Sequence, residues 1–578
     1  MLEKILLRNK KNASWLKFSD PNHLFVCSEV SEIKEVLEEI QERVQRDKLY
    51  AAGYLSYEAA PAFDPAFRVH DEHKIPLLCF GLFNDVEEFS NLENDKYINL
   101  EGLDWKLGTS EEIYKKNFLY IKKQIELGNT YQINYTLRNY TENLINPYEF
   151  FIARAANAPY AAFIETKNHT IISASPELFF SLDGEVLECK PMKGTSLRGK
   201  TYSEDAFLKT ELKLSEKNLA ENIMITDMLR NDMGRISSPG SVNVPVICDV
   251  EQYPTVWQMT STVKSQTSAS VAEIIAALFP CASVTGAPKI ASMEIISEIE
   301  DTPREIYTGA IGFIAPDRQA QFSVPIRTVL MDNKTNKSSY GAGGGIVWDS
   351  DFLSEFHECM TKSKILTTTN ANSNFELFET MLWEPKNGVF LSSFHFSRLR
   401  NSAVYFGFNW DSSKIEIELE ECLKGCNSEP MKIKLFLSSN GSIRISNSVL
   451  TSKEQKKNYS ISLAKEPIDQ QDVFYYHKTT KREIYEQAKP INPDSDDVLF
   501  WNEAGEITES KIANIIINID GEWYTPPIIS GLLGGTYRQM MIESQLLKER
   551  VIHKSEIINL TEITLINSVW GKFKAKLI

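Results

Sequence analysis

Helical and alternating patterns succeed one another along this chain. Residues 31–46 place apolar side chains at helical spacing among many charges, which predicts an amphipathic surface helix. Residues 53–60 are rich in strand formers and predict a strand broken at Pro61. Ser110 is placed to cap a helix reaching about Leu127, where Gly128 stops it. Residues 131–138 predict a strand, and short strands follow at 161–165, 170–173, 177–182 and 185–189. Residues 203–235 read as mainly helical, and Asp351 starts another helix running to about Leu366. Between them, 279–289 form a loop feeding a helix with Pro288 at its first turn, and 307–312 and 324–328 look like strands. The glycine run 341–347 reads as a turn whose amides could hold an anion.

A polar, apolar-poor stretch at 367–374 reads as a linker between a first domain, 1–366, and a second, 375–578. A chain of 578 residues needs more than one core, and 42% hydrophobic and 11% aromatic residues suffice to build them. A net charge of −16 argues against a nucleic-acid surface. The amino-terminal residues are too short and too charged for a signal peptide, and no apolar run approaches a membrane span. The eight cysteines lack metal spacing; Cys422 and Cys426 stand four apart without a second pair. Reduced thiols in a cytoplasmic protein are expected.

Candidate chemistry begins at Cys189-Lys190-Pro191-Met192-Lys193-Gly194-Thr195. A lysine on a solvated turn is inert, whereas one desolvated beside apolar groups can lose its proton and act as a nucleophile. On a helix, Glu221 shares a face with Ile225 and Met228, an expensive place for a carboxylate unless it is paired or binds a metal. Glu355, Glu358 and Lys362 share another helical face, which without context is a solvated ion pair. Arg327 is a fork donor suited to a carboxylate, and Ser175-Pro176-Glu177 by itself suggests only a turn.

The lysine segment resembles the Pro-Ile-Lys-Gly-Thr motif of aminodeoxychorismate synthases within the chorismate-utilising family. Related anthranilate synthases typically carry alanine at the lysine. The resemblance covers about residues 50–366 and implies a large α/β (α+β) sandwich of antiparallel sheets. It implies Lys193 as nucleophile, Glu177 as general acid, and Mg²⁺ held by Glu221 and Glu358 with Glu355 nearby. It further implies chorismate contacts from Gly194, Thr195, Tyr307, Gly309, Arg327, Gly343, Gly344 and Lys362. Gln132 stands where isochorismate synthases carry a lysine base, which counts against that activity. Gln258 departs from a frequent family histidine.

Residues 375–578 contain Phe378-Glu379-Thr380, His395-Phe396-Ser397-Arg398, His477-Lys478, Thr508-Glu509-Ser510 and Gly534-Gly535-Thr536. In this order they resemble the class IV pyridoxal-phosphate enzymes, a two-subdomain α/β fold that includes branched-chain aminotransferases and aminodeoxychorismate lyase. The resemblance implies Lys478 as the Schiff-base lysine, Glu509 as partner of the pyridine nitrogen, and Arg398 with Thr536 as phosphate binders. Two departures are the segment 372–377, which replaces a Tyr-Gly-Asp-Gly type sequence, and Gly534 in place of a proline.

The expectation is therefore a bifunctional enzyme of p-aminobenzoate synthesis. Chorismate and ammonia would give 4-amino-4-deoxychorismate, from which the second domain eliminates pyruvate. No amidotransferase motif is visible, so glutamine use implies a separate amidotransferase subunit. The alternatives are an anthranilate synthase fused to an amino-acid aminotransferase, and a non-catalytic subunit that binds an amidotransferase.

Overall fold

The computed structural model describes residues 2–92, 104–142, 144, 146–253, 255–363, 375–425, 429–450, 459–558 and 560–578. The expected linker and Cys426 lie outside them. Among the described residues the chain divides into two compact units, one within Met1–Ser196 and Glu211–Ala371, the other within Leu197–Thr210 and Asn372–Ile578.

The first unit holds two ten-stranded sheets of antiparallel strands. Leu2, Ile5, Leu7 and Phe18 of one sheet meet Ala52, Tyr54 and Phe313 of the other in a shared core, and the Tyr54 hydroxyl lies 2.9 Å from His169 Nε2 across it. Each fully buried aliphatic or aromatic side chain here contributes roughly 1.5–3 kcal/mol. Helices cover the outer faces. Helix α1 (Ile33–Asp47) buries Ile33, Leu37, Ile40 and Val44, the stripe that the sequence pattern predicts. Helix α2 (Glu111–Glu126) buries Tyr114, Phe118 and Ile121 beside Ile133, Tyr135 and Leu137 of strand β1 (Gln132–Thr141). The Ser110 side chain accepts from Ile113 N–H, and Gly128, at φ +76°, follows the helix end as expected.

Four elements that carry the site differ from the sequence reading. Lys193 lies in a strand, β2 (Met192–Leu197), not in a turn. The helical stretch is two helices, because the Ser215 side chain caps a new one, α3 (Glu216–Gly234), which follows Tyr202–Leu214. Strand β3 (Val256–Gln266) runs beside β2. Residues 324–327 are not a strand: Arg327 has φ +53°, a left-handed conformation that breaks the pleat before Thr328–Asp332. The glycine run is strand β4 (Ser338–Ile346) rather than a turn, and pairs with β1 from Ser338↔Thr141 to Ile346↔Ile133. Its glycines are set by close packing; a β-carbon on Gly341 would lie 2.5 Å from the Tyr307 ring, and one on Gly343 2.5 Å from the Tyr135 carbonyl oxygen. Helix α4 (Phe352–Ser363) then returns across this strand.

The second unit contains a four-stranded antiparallel sheet and an eight-stranded mixed sheet. In the smaller sheet β5 (Leu377–Glu384) pairs with β6 (Met431–Leu437), and both bury alternate residues against α5 (Ser392–Phe406). The larger sheet includes β7 (Ile507–Ser510) and is followed by α6 (Thr536–Glu543). Among the described residues the cysteines are all free, and no helix is long and apolar enough to cross a membrane.

Candidate active site

One cavity of about 140 Å³ in the first unit is lined by Glu177, Lys193, Gly194, Thr195, Glu221, Gln258, Tyr307, Arg327, Gly343, Gly344, Glu355, Glu358 and Lys362. Strand β2 brings the lysine segment, α3 brings Glu221, β3 brings Gln258 and α4 brings its two glutamates and Lys362. Burial lowers the pKa of Lys193, opposed chiefly by Glu221 and assisted by Lys362. Room for its amine depends on Gly345: a β-carbon there would sit 3.0 Å from Lys193 Nζ and 2.4 Å from Gln132 Nε2.

Glu177 is 2% exposed, and its Oε1 accepts from the Ser283 hydroxyl at 2.6 Å. Burial pushes its pKa up to about 7, against the pull of that bond and of Lys193. The cavity thus sets a carboxyl that can hold a proton near neutrality against an amine inclined to lose one. Such opposed shifts within one cleft are the usual arrangement of acid and nucleophile.

Arg327 and Lys362 supply positive charge. The Arg327 guanidinium makes no hydrogen bond to protein among the described residues, so its fork is available to an anion. Burial acts to lower the Lys362 pKa, but Glu358 at 2.7 Å outweighs it and leaves it raised; Nζ also donates to the Gly343 carbonyl at 2.8 Å. Lys362 in turn holds Glu358 below its ordinary range. Burial raises Glu221.

Glu355 is 4% exposed and already engaged: its Oε1 accepts from the Ser350 hydroxyl at 2.6 Å and pairs with Lys217 at 3.3 Å. Among the described residues no three His, Cys, Asp or Glu side chains cluster as metal ligands. Two carboxylates with substrate and water oxygens still fit Mg²⁺. Glu221, Glu355 and Glu358 all line the cavity, Glu355 with its Oε1 already engaged.

Gly309 departs from expectation. It lies outside the cavity lining, and a β-carbon there would meet the Leu55 carbonyl oxygen at 2.2 Å, so backbone packing demands the glycine. Three residues escaped the sequence reading. Ser283 holds Glu177, the Asn222 side chain donates to the Lys193 carbonyl at 3.2 Å, and Gln258 bridges the two residues that follow Lys193. Its Nε2 donates to Gly194 O at 2.8 Å while Oε1 accepts from Thr195 Oγ1 at 2.9 Å. The departure at Gln258 signalled its position but not this clamp.

The second unit has its own cavity, about 390 Å³, lined by Lys478, Glu509, Arg398 and Thr536 among others. Burial, with Arg398 adding to it, lowers Lys478 to about 7, and its ammonium lies 4.6 Å from the Phe378 ring centre. Burial lifts Glu509 to about 7 although Leu533 N–H, the Tyr485 hydroxyl and the Asn514 amide all donate to it. Arg398 gives Nε and Nη2 to Glu379, at 2.8 and 2.6 Å, and Nη1 to the Gly534 carbonyl at 3.1 Å. Burial acts to raise Glu379, yet Arg398 and His395 hold it down at about 2. His395, which the sequence left without a role, lies 2.6 Å from Glu379 and 3.3 Å from Thr536 Oγ1.

An amine with depressed pKa, a multiply bonded carboxyl and the start of α6 at Thr536 match what pyridoxal phosphate requires at its carbonyl, ring nitrogen and phosphate. The donor set fits the cofactor. Arg398, with two N–H groups given to Glu379 and one to the Gly534 carbonyl, has two left for a phosphate.

Comparison with known proteins agrees with both cavities. Residues 100–368 match the family model described as chorismate binding enzyme, and 376–578 match that of amino-transferase class IV. The chain is 43% identical over 263 residues to the chloroplastic aminodeoxychorismate synthase of Arabidopsis thaliana, covering 44% of this chain and 28% of that protein. It is 33% identical over 303 residues to aminodeoxychorismate synthase component 1 of Escherichia coli K12, covering 51% and 66%. The chain thus spans less than two thirds of these relatives' length. Anthranilate synthase component I of Streptococcus pneumoniae shares the fold, with a TM-score of 0.54 at 23% identity over 61% of this chain and 92% of that one. Residues 100–368 belong to the chorismate binding enzymes and residues 376–578 to the class IV aminotransferases, so the chain joins both families in one polypeptide.

Proposed function

We propose that the chain makes p-aminobenzoate in two reactions, amination of chorismate at C4 in the first cavity and elimination of pyruvate in the second. The observation that carries this reading is the presence in one cavity of Lys193, its pKa lowered, and Glu177, its pKa raised to about 7, with the open fork of Arg327. The neutral Lys193 amine adds at C2 of the ring. The ring double bonds shift, and the C4 hydroxyl leaves as water with the proton of Glu177. Ammonia then adds at C4, the double bonds shift back, and the Lys193–C2 bond breaks to return the amine. Arg327 and Lys362 bind substrate carboxylates.

A Mg²⁺ ion held by Glu221 and Glu358 would neutralise a substrate carboxylate. Glu358→Gln is expected to raise the Mg²⁺ concentration needed for half-maximal synthase rate and to leave the second reaction unchanged. Undiminished turnover of the wild-type chain in excess chelator would show that no metal is needed.

Glu177 must be protonated to release water. Where Lys193 is already neutral, synthase kcat/KM at fixed free-ammonia concentration is expected to fall about tenfold per pH unit above about 7. The limb is descending because the reactive form is the protonated one, populated below the raised pKa. A pH profile and rate left unchanged by Glu177→Gln would remove Glu177 from the acid role.

In the second cavity pyridoxal phosphate would supply an electron sink for the substrate's amino-bearing carbon. Lys478 Nζ would take a proton from the amino-bearing ring carbon and deliver one to the departing enolpyruvyl group. Glu509 holds the proton at the cofactor's ring nitrogen. Glutamine would be used through a separate amidotransferase subunit. The decisive experiment incubates the purified chain with chorismate, ammonia and Mg²⁺, with and without pyridoxal phosphate. Aminodeoxychorismate without the cofactor, and p-aminobenzoate plus pyruvate with it, are expected; anthranilate would instead favour the fused anthranilate synthase reading.

A further inference from the structure

Asn222 lies in α3 one residue after Glu221, and it is 0% exposed. A buried carboxamide brings two N–H donors and a carbonyl acceptor that all need partners. An asparagine inside a helix more often bonds its own backbone or water. Both donors of Asn222 instead cross from the helix to strands: Nδ2 donates to the Lys193 carbonyl on β2 at 3.2 Å and to the Met259 carbonyl on β3 at 3.3 Å. Its Oδ1 accepts from the Ser261 hydroxyl on β3, with Thr226 Oγ1 farther off at 3.4 Å.

The strand Asn243–Gln252, beside β3, is deformed around this amide. Val246 and Asp249 face Thr262 and Thr260, so the strand carries one extra residue between them, and Cys248 within that bulge has φ +51°. A non-glycine residue in the left-handed region is strained and persists only where its surroundings hold it. The bulge gives the Cys248 N–H to Ser261 Oγ at 3.0 Å and sets its thiol 3.7 Å from Asn222 Oδ1. Ser261 then spends its one proton on Asn222 Oδ1, which fixes the end of the amide that faces the two carbonyls. The Ser261 N–H donates to the Pro191 carbonyl at 3.2 Å. The main chain is thus held on both sides of Met192, at Pro191 and at Lys193.

Successive helix residues point about 100° apart, so α3 turns Glu221 into the first cavity and Asn222 towards β2 and β3. Asn222 itself is not among the residues that line that cavity. Glu221 is the main charge opposing the burial that lowers Lys193. The seating of α3 against β2 therefore sets both the direction of the amine and the charge that it meets. We infer that Asn222, locked by Ser261, is a positioning residue that seats the strand of Lys193 against the helix carrying Glu221. The inference rests on the reading of Lys193 as nucleophile.

The test compares the full-length chain with Asn222→Ala and with Ser261→Ala, which removes only the hydroxyl that fixes the amide. With chorismate, ammonia and Mg²⁺, Asn222→Ala is expected to lose about a hundredfold in kcat while KM for chorismate stays within about threefold. Ser261→Ala should lose about tenfold in the same pattern. A second readout needs no ammonia. Addition of the Lys193 amine to the ring with loss of the C4 hydroxyl as water leaves chorismate less one water on the lysine, a mass gain visible in single-turnover samples. That adduct should form more slowly in both variants. Adduct formation at the wild-type rate in both, or a loss carried by KM as much as by kcat, would overturn the inference and leave Lys193 as nucleophile. If circular dichroism shows that Asn222→Ala does not fold, Ser261→Ala carries both readouts. Wild-type rates in Lys193→Ala would refute the nucleophile itself, and with it the amine that Asn222 positions.

Discussion

Lys193→Ala is expected to slow aminodeoxychorismate formation by about a thousandfold or more, while chorismate affinity changes by less than about tenfold, or about 1.4 kcal/mol. The amine can attack only when neutral, and burial shifts Lys193 towards that form against Glu221 and Glu177. Binding does not depend on it in the same way, since Arg327 and Lys362 remain to meet the substrate's carboxylates. Lys193→Arg sharpens the test. A guanidinium keeps the positive charge but does not deprotonate, so a cation that merely anchored substrate would tolerate the exchange and a nucleophile would not. Comparable losses in both variants, measured by product chromatography with ammonia as nitrogen source, are expected. Wild-type rates in the alanine variant would refute nucleophilic catalysis. A switch of product to anthranilate would instead support the chemistry of the position.

The sequence was most legible where local rules decide structure. The cap at Ser110, the stop at Gly128 and the apolar stripe of α1 follow from short-range physics, and the structure places them as expected. Resemblance carried the site further, because the residues that line the first cavity sit in segments recognisable in order along the chain. What it missed depends on contacts between segments far apart. Ser283 reaches Glu177 from 106 positions away, and Gln258 reaches Gly194 from 64. No local pattern encodes either bond. The glycines of β4 misled for a related reason. Read alone they suggest a flexible turn, whereas they are small because Tyr307, Tyr135, Gln132 and Lys193 crowd that strand. The contacts of Glu355 with Ser350 and Lys217 were likewise beyond any local pattern.

Lys478→Ala should abolish the visible absorption of the cofactor-linked second site and stop pyruvate release, with ammonia-dependent aminodeoxychorismate formation retained. The lysine is prepared for this by its surroundings. Burial and the neighbouring Arg398 bring it to about 7, so near neutral pH about half the amine is unprotonated, against roughly one part in a thousand for a solvated lysine. Glu379 and Glu509 oppose that shift without reversing it. Removing the amine takes away both the covalent tether and the base, whereas Glu509, Thr536 and what remains of the Arg398 fork can still hold the cofactor non-covalently. Residual cofactor, released on denaturation and measured by its own absorbance, should therefore persist in the variant. Retention of the visible band would refute Lys478 as the tether. A wild-type band accompanied by amino-group transfer to a keto acid, with no pyruvate released from aminodeoxychorismate, would make this half an aminotransferase. The distinction falls to what Lys478 would do with the proton it takes, and only delivery to the departing enolpyruvyl group would make the second site a lyase.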